Sequence, residues 1–262
     1  MNINLQGRVI LITGGSAGIG EGIAHGVSKC GAKVVIVSRD EDEMQSVVDS
    51  IKADGGEASW ARADVTESEQ VAGAVQKTIA DHGRIDGLVA NAGINGTWAP
   101  VDEITPDQWR KTIDVNLTGT YLAVHHCVPH LPEAGGGSIV IMASINGTQT
   151  FSNEGASAYA ASKAGQFAFG KMLALELAPS KIRVNVICPG AIESDIHEKT
   201  NRENLKSIET PTIFPEGDIP LTGGDYGTPD QVASLTAFLM SDLASHITGT
   251  PVWIDGGQSL IR

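Results

Sequence analysis

Short apolar and β-branched runs alternate with helical patterns along the whole chain, and this alternation is the strongest constraint on its fold. Strand-like runs occupy 8–12, 33–37, 57–62, 86–90, 138–143, 183–188 and 251–255. Helical periodicity occupies 19–30, 41–53, 67–82, 106–128, 158–178 and 229–240. Such alternation builds βαβ units, in which helices cover both faces of a parallel sheet. We therefore predict an α/β fold with a doubly wound parallel sheet of seven strands.

The chain shows no internal repeat, low-complexity tract or linker-like change of composition, so we predict that 1–262 form one domain. The least regular segment is 194–226, which is charged and contains Pro211, Pro215 and Pro220. Loops that follow the carboxyl ends of parallel strands commonly cover ligand sites. We predict that 194–226 is a substrate lid; a solvated excursion and a subunit contact are the alternatives.

The predicted first strand runs into a glycine-rich turn, Thr13-Gly14-Gly15-Ser16-Ala17-Gly18-Ile19-Gly20, which leads into the first helix. Glycines allow close approach of the backbone, and a helix N-terminus offers free N–H groups and a partial positive charge to a pyrophosphate. The turn predicts a dinucleotide-binding fold of the Rossmann type, and a plain strand-to-helix turn is the alternative. The candidate contacts are Gly14, Ser16, Gly18, Ile19 and Gly20.

The tip of the second strand, Val37-Ser38-Arg39-Asp40, is where the adenosine ribose of such a cofactor is expected. A cation at this place pairs with a 2′-phosphate, whereas an acidic residue binds the ribose diol. Ser38 and Arg39 therefore predict a preference for NADP(H). The adjacent Asp40 keeps NAD(H), or a merely solvated arginine, as the alternative.

Tyr159 and Lys163 lie four residues apart in the helical run 158–178. This spacing places both side chains on one helix face, and a cation beside a phenol lowers the pKa of the phenol. The pair is a candidate for proton transfer near neutral pH. An ordinary amphipathic helix edge is the alternative.

Taken together, these features resemble the short-chain dehydrogenase/reductase family in its ordinary branch. The shared motifs, in chain order, are the glycine turn, Asp64 within 63–65, Asn91-Ala92-Gly93, Asn116, Ser144, Tyr159 with Lys163, Pro189-Gly190 and Asp255-Gly256-Gly257. Each motif is loose by itself, but their order and spacing together are specific and cover nearly the whole chain.

The resemblance implies a catalytic role for four residues. Tyr159 would give a proton to a carbonyl oxygen in reduction or take one from a hydroxyl in oxidation. Lys163 would lower the pKa of Tyr159 and hold the nicotinamide ribose, and Ser144 would hydrogen-bond the substrate oxygen. Asn116 would support a water-linked proton relay to the lysine. Ser144 as a turn residue and Asn116 as a buried hydrogen-bonded residue are the alternatives.

Further cofactor contacts are implied by the same resemblance. Asp64 and Val65 would lie at the adenine, with the Asp64 carboxylate accepting from the adenine amino group. The segment Asn91, Ala92 and Gly93 would line the adenosine ribose, although Asn91 could mainly brace the sheet. The residues expected to frame the nicotinamide carboxamide are Pro189, Gly190, Ile192 and Ser194.

The implied function is that of a carbonyl reductase or alcohol dehydrogenase that uses a nicotinamide cofactor. Two other functions share the fold: a cofactor-binding redox sensor, and an epimerase or dehydratase. The resemblance also implies a homotetramer formed through the helices that begin near 106 and 158 and through the last strand. Candidate substrate contacts are Asn95, Trp98, Asn146, Phe151, Asn153, Gly190 and His197.

The formal net charge of −13 makes nucleic acid and anionic membrane surfaces poor partners. The first residues show no charged segment followed by an apolar run, and no uninterrupted apolar segment approaches about 18 residues. We expect a cytoplasmic protein that acts on a small-molecule carbonyl or alcohol. His126 and His130 lie four apart, but neither a cysteine nor a carboxylate in the pattern completes a metal site, so no metal is predicted.

Overall fold

The computed structural model describes residues 2–150, 153–209 and 217–261. Its strands are β1 (Val9–Thr13), β2 (Lys33–Ser38), β3 (Glu57–Arg62), β4 (Gly87–Ala90), β5 (Thr97–Trp98), β6 (Gly137–Met142), β7 (Ile182–Pro189), β8 (Asn201–Arg202) and β9 (Pro251–Ile254). Its α-helices are α1 (Gly18–Lys29), α2 (Glu41–Ala53), α3 (Ser68–His82), α4 (Pro106–Ile113), α5 (Gly119–Cys127), α6 (Ser157–Leu177) and α7 (Pro229–Met240). Short 3-10 turns occupy Val128–His130, Pro132–Ala134, Ala178–Ser180, Leu205–Ser207, Asp242–Ala244 and Gln258–Leu260.

Seven strands form one parallel sheet in the order β3-β2-β1-β4-β6-β7-β9. The strand order runs outward in both directions from the neighbours β1 and β4, so the connections leave a crevice at the carboxyl ends of these two strands. Each of the seven predicted strands is present, with its ends displaced by at most one residue. The predicted doubly wound α/β fold is therefore confirmed.

Successive residues of the central strands enter two separate hydrophobic cores. Ile10 and Ile12 of β1 pack into the core under α1, α2 and α7. Leu11, between them, packs into the core under α3, α5 and α6. Side chains alternate across a strand, so a strand that is covered on both faces must be apolar at every position. This requirement explains why the strands read as continuous apolar runs in the sequence.

The helix predicted at 106–128 is not a single α-helix. It begins with a capping box in which Thr105 Oγ1 accepts from the Gln108 amide at 3.2 Å and the Gln108 side chain accepts from the Thr105 amide. A π-helical turn, Asp114–Thr118, then separates α4 from α5. Such turns widen the helix locally and are frequent at functional sites. The apolar periodicity did not show this insertion, because the chain continues in the same direction through it.

The segment 194–226, which is the least regular in the sequence, contains a short strand. Its strand β8 pairs in parallel with β5, joining Thr97 to Asn201 and Trp98 to Arg202. Sequence patterns miss strands of two residues, because period-two alternation needs about four residues to be recognised. Pro211 and Pro215 lie outside the described residues. None of the helices in the described segments is both long and apolar enough to cross a lipid bilayer.

Two glycines on one face of α1 allow α7 to pack closely against it. A Cβ atom added at Gly22 would stand 2.5 Å from Pro229 Cβ, and one added at Gly26 would stand 2.7 Å from Ala233 Cβ. Both distances are shorter than carbon atoms tolerate. The glycines therefore fix the separation of the two helices that cover the first core.

We predict that Gly26→Val lowers the free energy of unfolding by about 2 kcal/mol, because the added side chain overpacks the contact between α1 and α7. Gly73→Ala is the matched control, since Gly73 lies in α3 with nothing within 4 Å of an added Cβ. We expect the control to raise stability by about 0.5–1 kcal/mol through helix propensity. Urea unfolding monitored by circular dichroism measures both. Equal stability of Gly26→Val and the parent chain would contradict this account of the packing.

Candidate active site

A cleft of about 450 Å³ lies at the carboxyl edge of the sheet, where β1 and β4 separate. Most of the residues singled out from the sequence line it. These are Gly14, Ser16, Gly18, Ile19, Gly20, Ser38, Arg39, Asn91, Ala92, Gly93, Ser144, Tyr159, Lys163, Pro189, Gly190, Ile192 and Ser194. Asp64, Val65 and Asn116 are not among the lining residues. The tertiary structure thus brings five connections and the start of α6 to one cavity.

The glycine turn has the shape that a pyrophosphate group needs. Gly14 adopts a φ of +65°, and a Cβ atom there would lie 2.8 Å from Ala92 Cα. A Cβ atom at Gly20 would lie 2.0 Å from the Gly14 carbonyl oxygen. The first turn of α1 has no side-chain cap from Ala17, so its N–H groups are available to an anion at the cleft. These observations fit a dinucleotide cofactor.

Asn91 ties the end of β4 to the glycine turn. Its amide nitrogen Nδ2 donates to the carbonyl oxygens of Thr13 and Gly14, each at 3.1 Å. Its backbone N–H donates to Thr13 Oγ1 at 3.1 Å. Asn91 therefore braces the sheet, which was the alternative to a cofactor contact. The residue lines the cleft as well.

Arg39, which lines the cleft, forms an ion pair with Asp64, with 3.5 Å between Nη1 and Oδ2. The Arg39 side chain is 72% exposed. Burial of Asp64 acts to raise the pKa of its carboxyl, but hydrogen bonds from Thr66 and the charge of Arg39 outweigh this effect and lower the pKa. Val65, the next residue, packs against the backbone at Gly119, where an added Cβ would lie 2.8 Å from Val65 Cγ2.

Glu43 is a cleft residue that sequence reasoning missed. The Ser16 hydroxyl oxygen lies 3.1 Å from Glu43 Oε2 and 3.1 Å from Ser38 Oγ. The carboxylate stands in the first turn of α2, where acidic residues are common because they favour the helix dipole. An acidic residue at this position therefore gave no reason to expect a contact with Ser16 of the glycine turn, and no local sequence pattern encodes such a contact.

Tyr159 and Lys163 lie on the same face of α6, as predicted, and both line the cleft. The Lys163 Nζ atom is 5.5 Å from the centroid of the Tyr159 ring. It donates to the Met142 carbonyl oxygen at 2.9 Å, and the lysine is only 4% exposed. A Cβ atom at Gly93 would lie 3.5 Å from Nζ, so the glycine leaves room beside the ammonium group.

The predicted lowering of the Tyr159 pKa is wrong. Burial raises the pKa of the phenol, and a hydrogen bond with Ser144 offsets this only in part. The same burial lowers the pKa of Lys163 to about 8. Loss of hydration disfavours the charged form of both groups, so the helical spacing alone gave the wrong sign.

Ser144 occupies a turn that packs against α6. Its hydroxyl oxygen accepts from the Asn146 amide at 3.1 Å, and its carbonyl oxygen accepts from Thr148 Oγ1 at 2.6 Å. Gly147 has a φ of +79°, and a Cβ atom there would lie 2.2 Å from the Ala160 carbonyl oxygen. Ser144 is thus both a turn residue and the hydrogen-bond neighbour of Tyr159.

Asn116 is fully buried in the π-helical turn. Its Nδ2 donates to the Ile94 carbonyl oxygen and to Ser162 Oγ, both at 2.9 Å, and its Oδ1 accepts from the Ile94 amide at 2.8 Å. Ser162 in turn donates to the Tyr159 carbonyl oxygen at 2.7 Å. This geometry is that of a buried, hydrogen-bonded residue, which was the alternative role for Asn116. Its side chain links the loop after β4 to the helix that carries Tyr159. A proton relay through Asn116 stays a prediction.

The cleft is also lined by six of the predicted substrate contacts, Asn95, Trp98, Asn146, Asn153, Gly190 and His197. Phe151 lies outside the described residues. Sequence reasoning missed further lining residues, namely Asp195, Ile196, Lys199, Asp218, Tyr226 and Gln258. Most of them belong to 194–226, where no periodicity signals which side chains face inward.

The described residues at the start of 194–226 are held by contacts with Asn95 and Trp98. The Arg202 guanidinium lies 5.4 Å from the centroid of the Trp98 ring. The indole N–H donates to the Asn95 carbonyl oxygen at 3.2 Å, and Asn95 Nδ2 donates to Thr200 Oγ1 at 2.7 Å. Burial and the charge of Arg202 lower the pKa of His197. His197 lines the cleft, and its lowered pKa leaves the side chain neutral at pH 7.

Gln258 supports the loop on which the nicotinamide contacts were predicted. Its Oε1 accepts from the Ala191 amide at 2.9 Å, and its Nε2 donates to Asp218 Oδ2 at 3.1 Å. A Cβ atom at Gly190 would lie 2.7 Å from that Oε1. The last turn of the chain thus fixes the backbone next to Pro189.

Within the described segments, no group of three or more histidine, cysteine, aspartate or glutamate side chains is placed to hold a metal ion. His126 Nε2 lies 3.0 Å from Ser68 Oγ, and His130 Nδ1 lies 3.5 Å from Glu133 Oε2. Both histidines therefore have partners of their own.

Comparison with known proteins agrees with this geometry. A family model described as enoyl-(acyl carrier protein) reductase matches residues 14–259. A 3-oxoacyl-[acyl-carrier-protein] reductase of Chlamydia pneumoniae is 40% identical over 98% of this chain and 99% of its own. A cyclohexanol dehydrogenase of an Acinetobacter species is 35% identical over 99% of this chain and 98% of its own. The crystal structure of a 3-ketoacyl-ACP reductase from Sinorhizobium meliloti superposes with a TM-score of 0.93, at 45% identity, over 97% of this chain and all of that one.

We predict that Lys163→Met stabilises the fold at pH 7. The pKa of Lys163 is lowered from 10.5 in the folded protein, so its charged form costs stability. This cost is complete below about pH 8 and disappears as the pH rises toward 10.5, where the lysine is neutral in both states. After the lost hydrogen bond to Met142 is subtracted, we expect a net gain of about 1–2 kcal/mol.

Chemical unfolding of both proteins from pH 7 to pH 10 measures this difference. Lys171→Met is the control, because Lys171 is an exposed lysine of the same helix. The gain should be present in Lys163→Met alone and should shrink with rising pH. A gain that does not change with pH would contradict the assignment to the buried charge.

Proposed function

Because the chain belongs to the short-chain dehydrogenase/reductase family, we propose that it is an NADP(H)-preferring oxidoreductase that interconverts a ketone and a secondary alcohol. The observation that carries the proposal is the meeting of Ser144, Tyr159 and Lys163 on one wall of a cleft that also contains the glycine turn. The names of two relatives point to the same chemistry, since a 3-oxoacyl group and cyclohexanol both react at a ketone or secondary alcohol carbon.

The cofactor would lie along the cleft from Arg39 to Gly190. The glycine turn and the start of α1 would hold its pyrophosphate, and the loop after β7 would hold the carboxamide. When bound, the nicotinamide supplies the hydride for reduction and accepts it in oxidation. The fit of the backbone at Gly14 and Gly20 supports this assignment.

Tyr159 is the proposed general acid and base. Its raised pKa keeps the phenol protonated at neutral pH, which suits a group that gives a proton to a substrate oxygen. Ser144 would donate a hydrogen bond to the same oxygen and stabilise the negative charge that develops there. The Lys163 ammonium, 5.5 Å from the phenol ring, favours the phenolate that Tyr159 becomes after giving its proton.

The proposed preference for NADP(H) rests on Arg39. Its exposed guanidinium lines the cleft, as Ser38 and Ser16 do, and it would offer a cation to a 2′-phosphate there. Asp64 already pairs with this guanidinium, which weakens its attraction for a second anion. NAD(H) therefore remains the alternative cofactor.

The segment 194–226 is the proposed substrate lid of a single catalytic domain, 1–262. What supports this role is that Asp195, His197, Lys199 and Tyr226 line the cleft.

A homotetramer is the proposed assembly. It is supported by exposed apolar side chains on α5 and α6, with Tyr121 46% exposed, Met172 68% and Leu175 79%. Such a patch is typical of a surface that another subunit covers. We propose a cytoplasmic location and small-molecule substrates, since the net charge of −13 disfavours nucleic acid.

A panel of ketones and secondary alcohols, assayed with NADPH, NADH and their oxidised forms, tests the reaction class. Turnover is followed by absorbance at the nicotinamide band. The panel should include 3-oxoacyl thioesters and cyclic alcohols, the classes named by the relatives. Turnover of aldehydes alone, or binding of neither cofactor, would overturn the proposal.

We predict that Tyr159→Phe lowers kcat by about a thousandfold, the size expected for loss of a general acid. The affinity for NADPH should remain nearly unchanged, because the phenol hydroxyl is the only group removed. Stopped-flow kinetics and fluorescence titration measure the two quantities. Tyr121→Phe, which changes an exposed tyrosine outside the cleft, is the control. Wild-type kcat in the Tyr159 variant would exclude the mechanism.

We predict that Arg39→Asp weakens NADPH binding about tenfold to a hundredfold and changes NADH binding much less, since only NADPH carries the 2′-phosphate. Arg110→Asp reverses an equivalent exposed charge that pairs with Asp107 away from the cleft, and it should change neither affinity. Dissociation constants from fluorescence titration are the measurement. Equal weakening of both cofactors would show that Arg39 does not read the phosphate.

A further inference from the structure

Three polar side chains at the adenosine end of the cleft form a hydrogen-bonded chain. The Ser16 hydroxyl lies at hydrogen-bond distance, 3.1 Å, from both Ser38 Oγ and Glu43 Oε2. A hydroxyl has one proton, and a carboxylate is a stronger acceptor than another hydroxyl. The Ser16 proton therefore points to Glu43, and Ser38 donates to Ser16. Both hydroxyl protons are then already in use.

Glu43 is held in this position by its own helix. Its backbone N–H donates to Asp40 Oδ1 at 3.0 Å, which caps the start of α2. Its partner Ser16 is only 9% exposed, so the glycine turn fixes the other end of the contact. The carboxylate lines the same cleft as Arg39.

The charges at this end of the cleft do not favour a phosphate as strongly as Arg39 alone suggests. Arg39 stands 3.5 Å from the Asp64 carboxylate, which lies outside the lining, and the Glu43 carboxylate belongs to the wall of the cleft itself. A phosphomonoester brings about two negative charges at pH 7. A ribose hydroxyl brings none, and it can donate a hydrogen bond to a carboxylate.

We propose that Glu43 is a cofactor-specificity residue, which opposes the 2′-phosphate and limits the discrimination for NADP(H) that Arg39 provides. Its charge repels the phosphate, and its acceptor oxygen keeps the Ser16 and Ser38 protons from it. This inference rests on the proposed function only in requiring that the adenosine half of a dinucleotide binds beside the glycine turn.

The test compares two small ligands that differ only in this phosphate, adenosine 2′,5′-bisphosphate and adenosine 5′-monophosphate, by isothermal titration calorimetry. Glu43→Gln removes the charge but keeps a side-chain oxygen that accepts from Ser16. We expect the affinity for the bisphosphate to rise about tenfold, the effect of one partly screened charge, with a change of less than about twofold for the monophosphate. NADPH and NADH titrations should show the same ratio.

Glu41→Gln is the matched control. Glu41 lies in the same helical turn, is 56% exposed and stands 3.6 Å from Arg62, and it does not line the cleft. Its substitution removes an equal charge from the start of α2. The affinity ratio of the two ligands should therefore stay at the wild-type value.

The outcomes separate the possible roles of Glu43. An unchanged ratio in Glu43→Gln, or an equal change for both ligands, would assign Glu43 a purely structural role and overturn the inference. A similar gain in Glu41→Gln would overturn it too, because the effect would then come from general charge. A wild-type protein that binds both ligands while no ketone or alcohol in the panel is turned over would contradict the proposed reaction and leave this inference standing.

Discussion

The crevice between β1 and β4 is the constraint on which the rest of the site depends. The strand order continues outward in opposite directions on its two sides, so the loops after β1 and β4 diverge and leave a space between them. Asn91 fixes the width of this space through its hydrogen bonds to Thr13 and Gly14. Gly14 and Gly20 are required there because any larger residue would collide with backbone.

The two ends of the cleft work by different physical means. At the end proposed to hold the adenosine, Arg39 and Glu43 are exposed, and recognition there would depend on the balance of partly screened charges. At the end proposed for catalysis, Tyr159 is half-buried and Lys163 is buried, and loss of hydration shifts the pKa of both. The balance of charges at the exposed end can be changed by substituting a single charged residue, with little loss of stability. At the buried end, the fold disfavours the charged form of Lys163, which lowers stability. Such losses of stability are common at functional residues.

The placement of Tyr159 depends on hydrogen bonds in the interior of the protein, made by the buried residues Asn116 and Ser162. The π-helical turn brings Asn116 into the interior, where its amide joins Ile94 of the loop after β4 to Ser162 of α6. Ser162 continues this connection to the carbonyl oxygen of Tyr159. A regular α-helical turn would place the side chains after it about 100° apart from their present directions. The irregular turn thus contributes the Asn116 side chain that contacts Ser162 of α6.

The sequence by itself determined the seven strands, the glycine turn and the pairing of Tyr159 with Lys163, because alternation, turn chemistry and helical spacing are local properties. It also carried the motifs by which the family was identified. Only the tertiary structure decided the sign of the Tyr159 pKa shift, the π-helical turn at Asn116 and the contact between Glu43 and Ser16. Each of these depends on burial or on residues distant in the chain, and such long-range effects leave no periodic signal in the sequence. The pairing of β5 with β8 belongs to the same class, since it joins Trp98 to Arg202, which are distant in the chain.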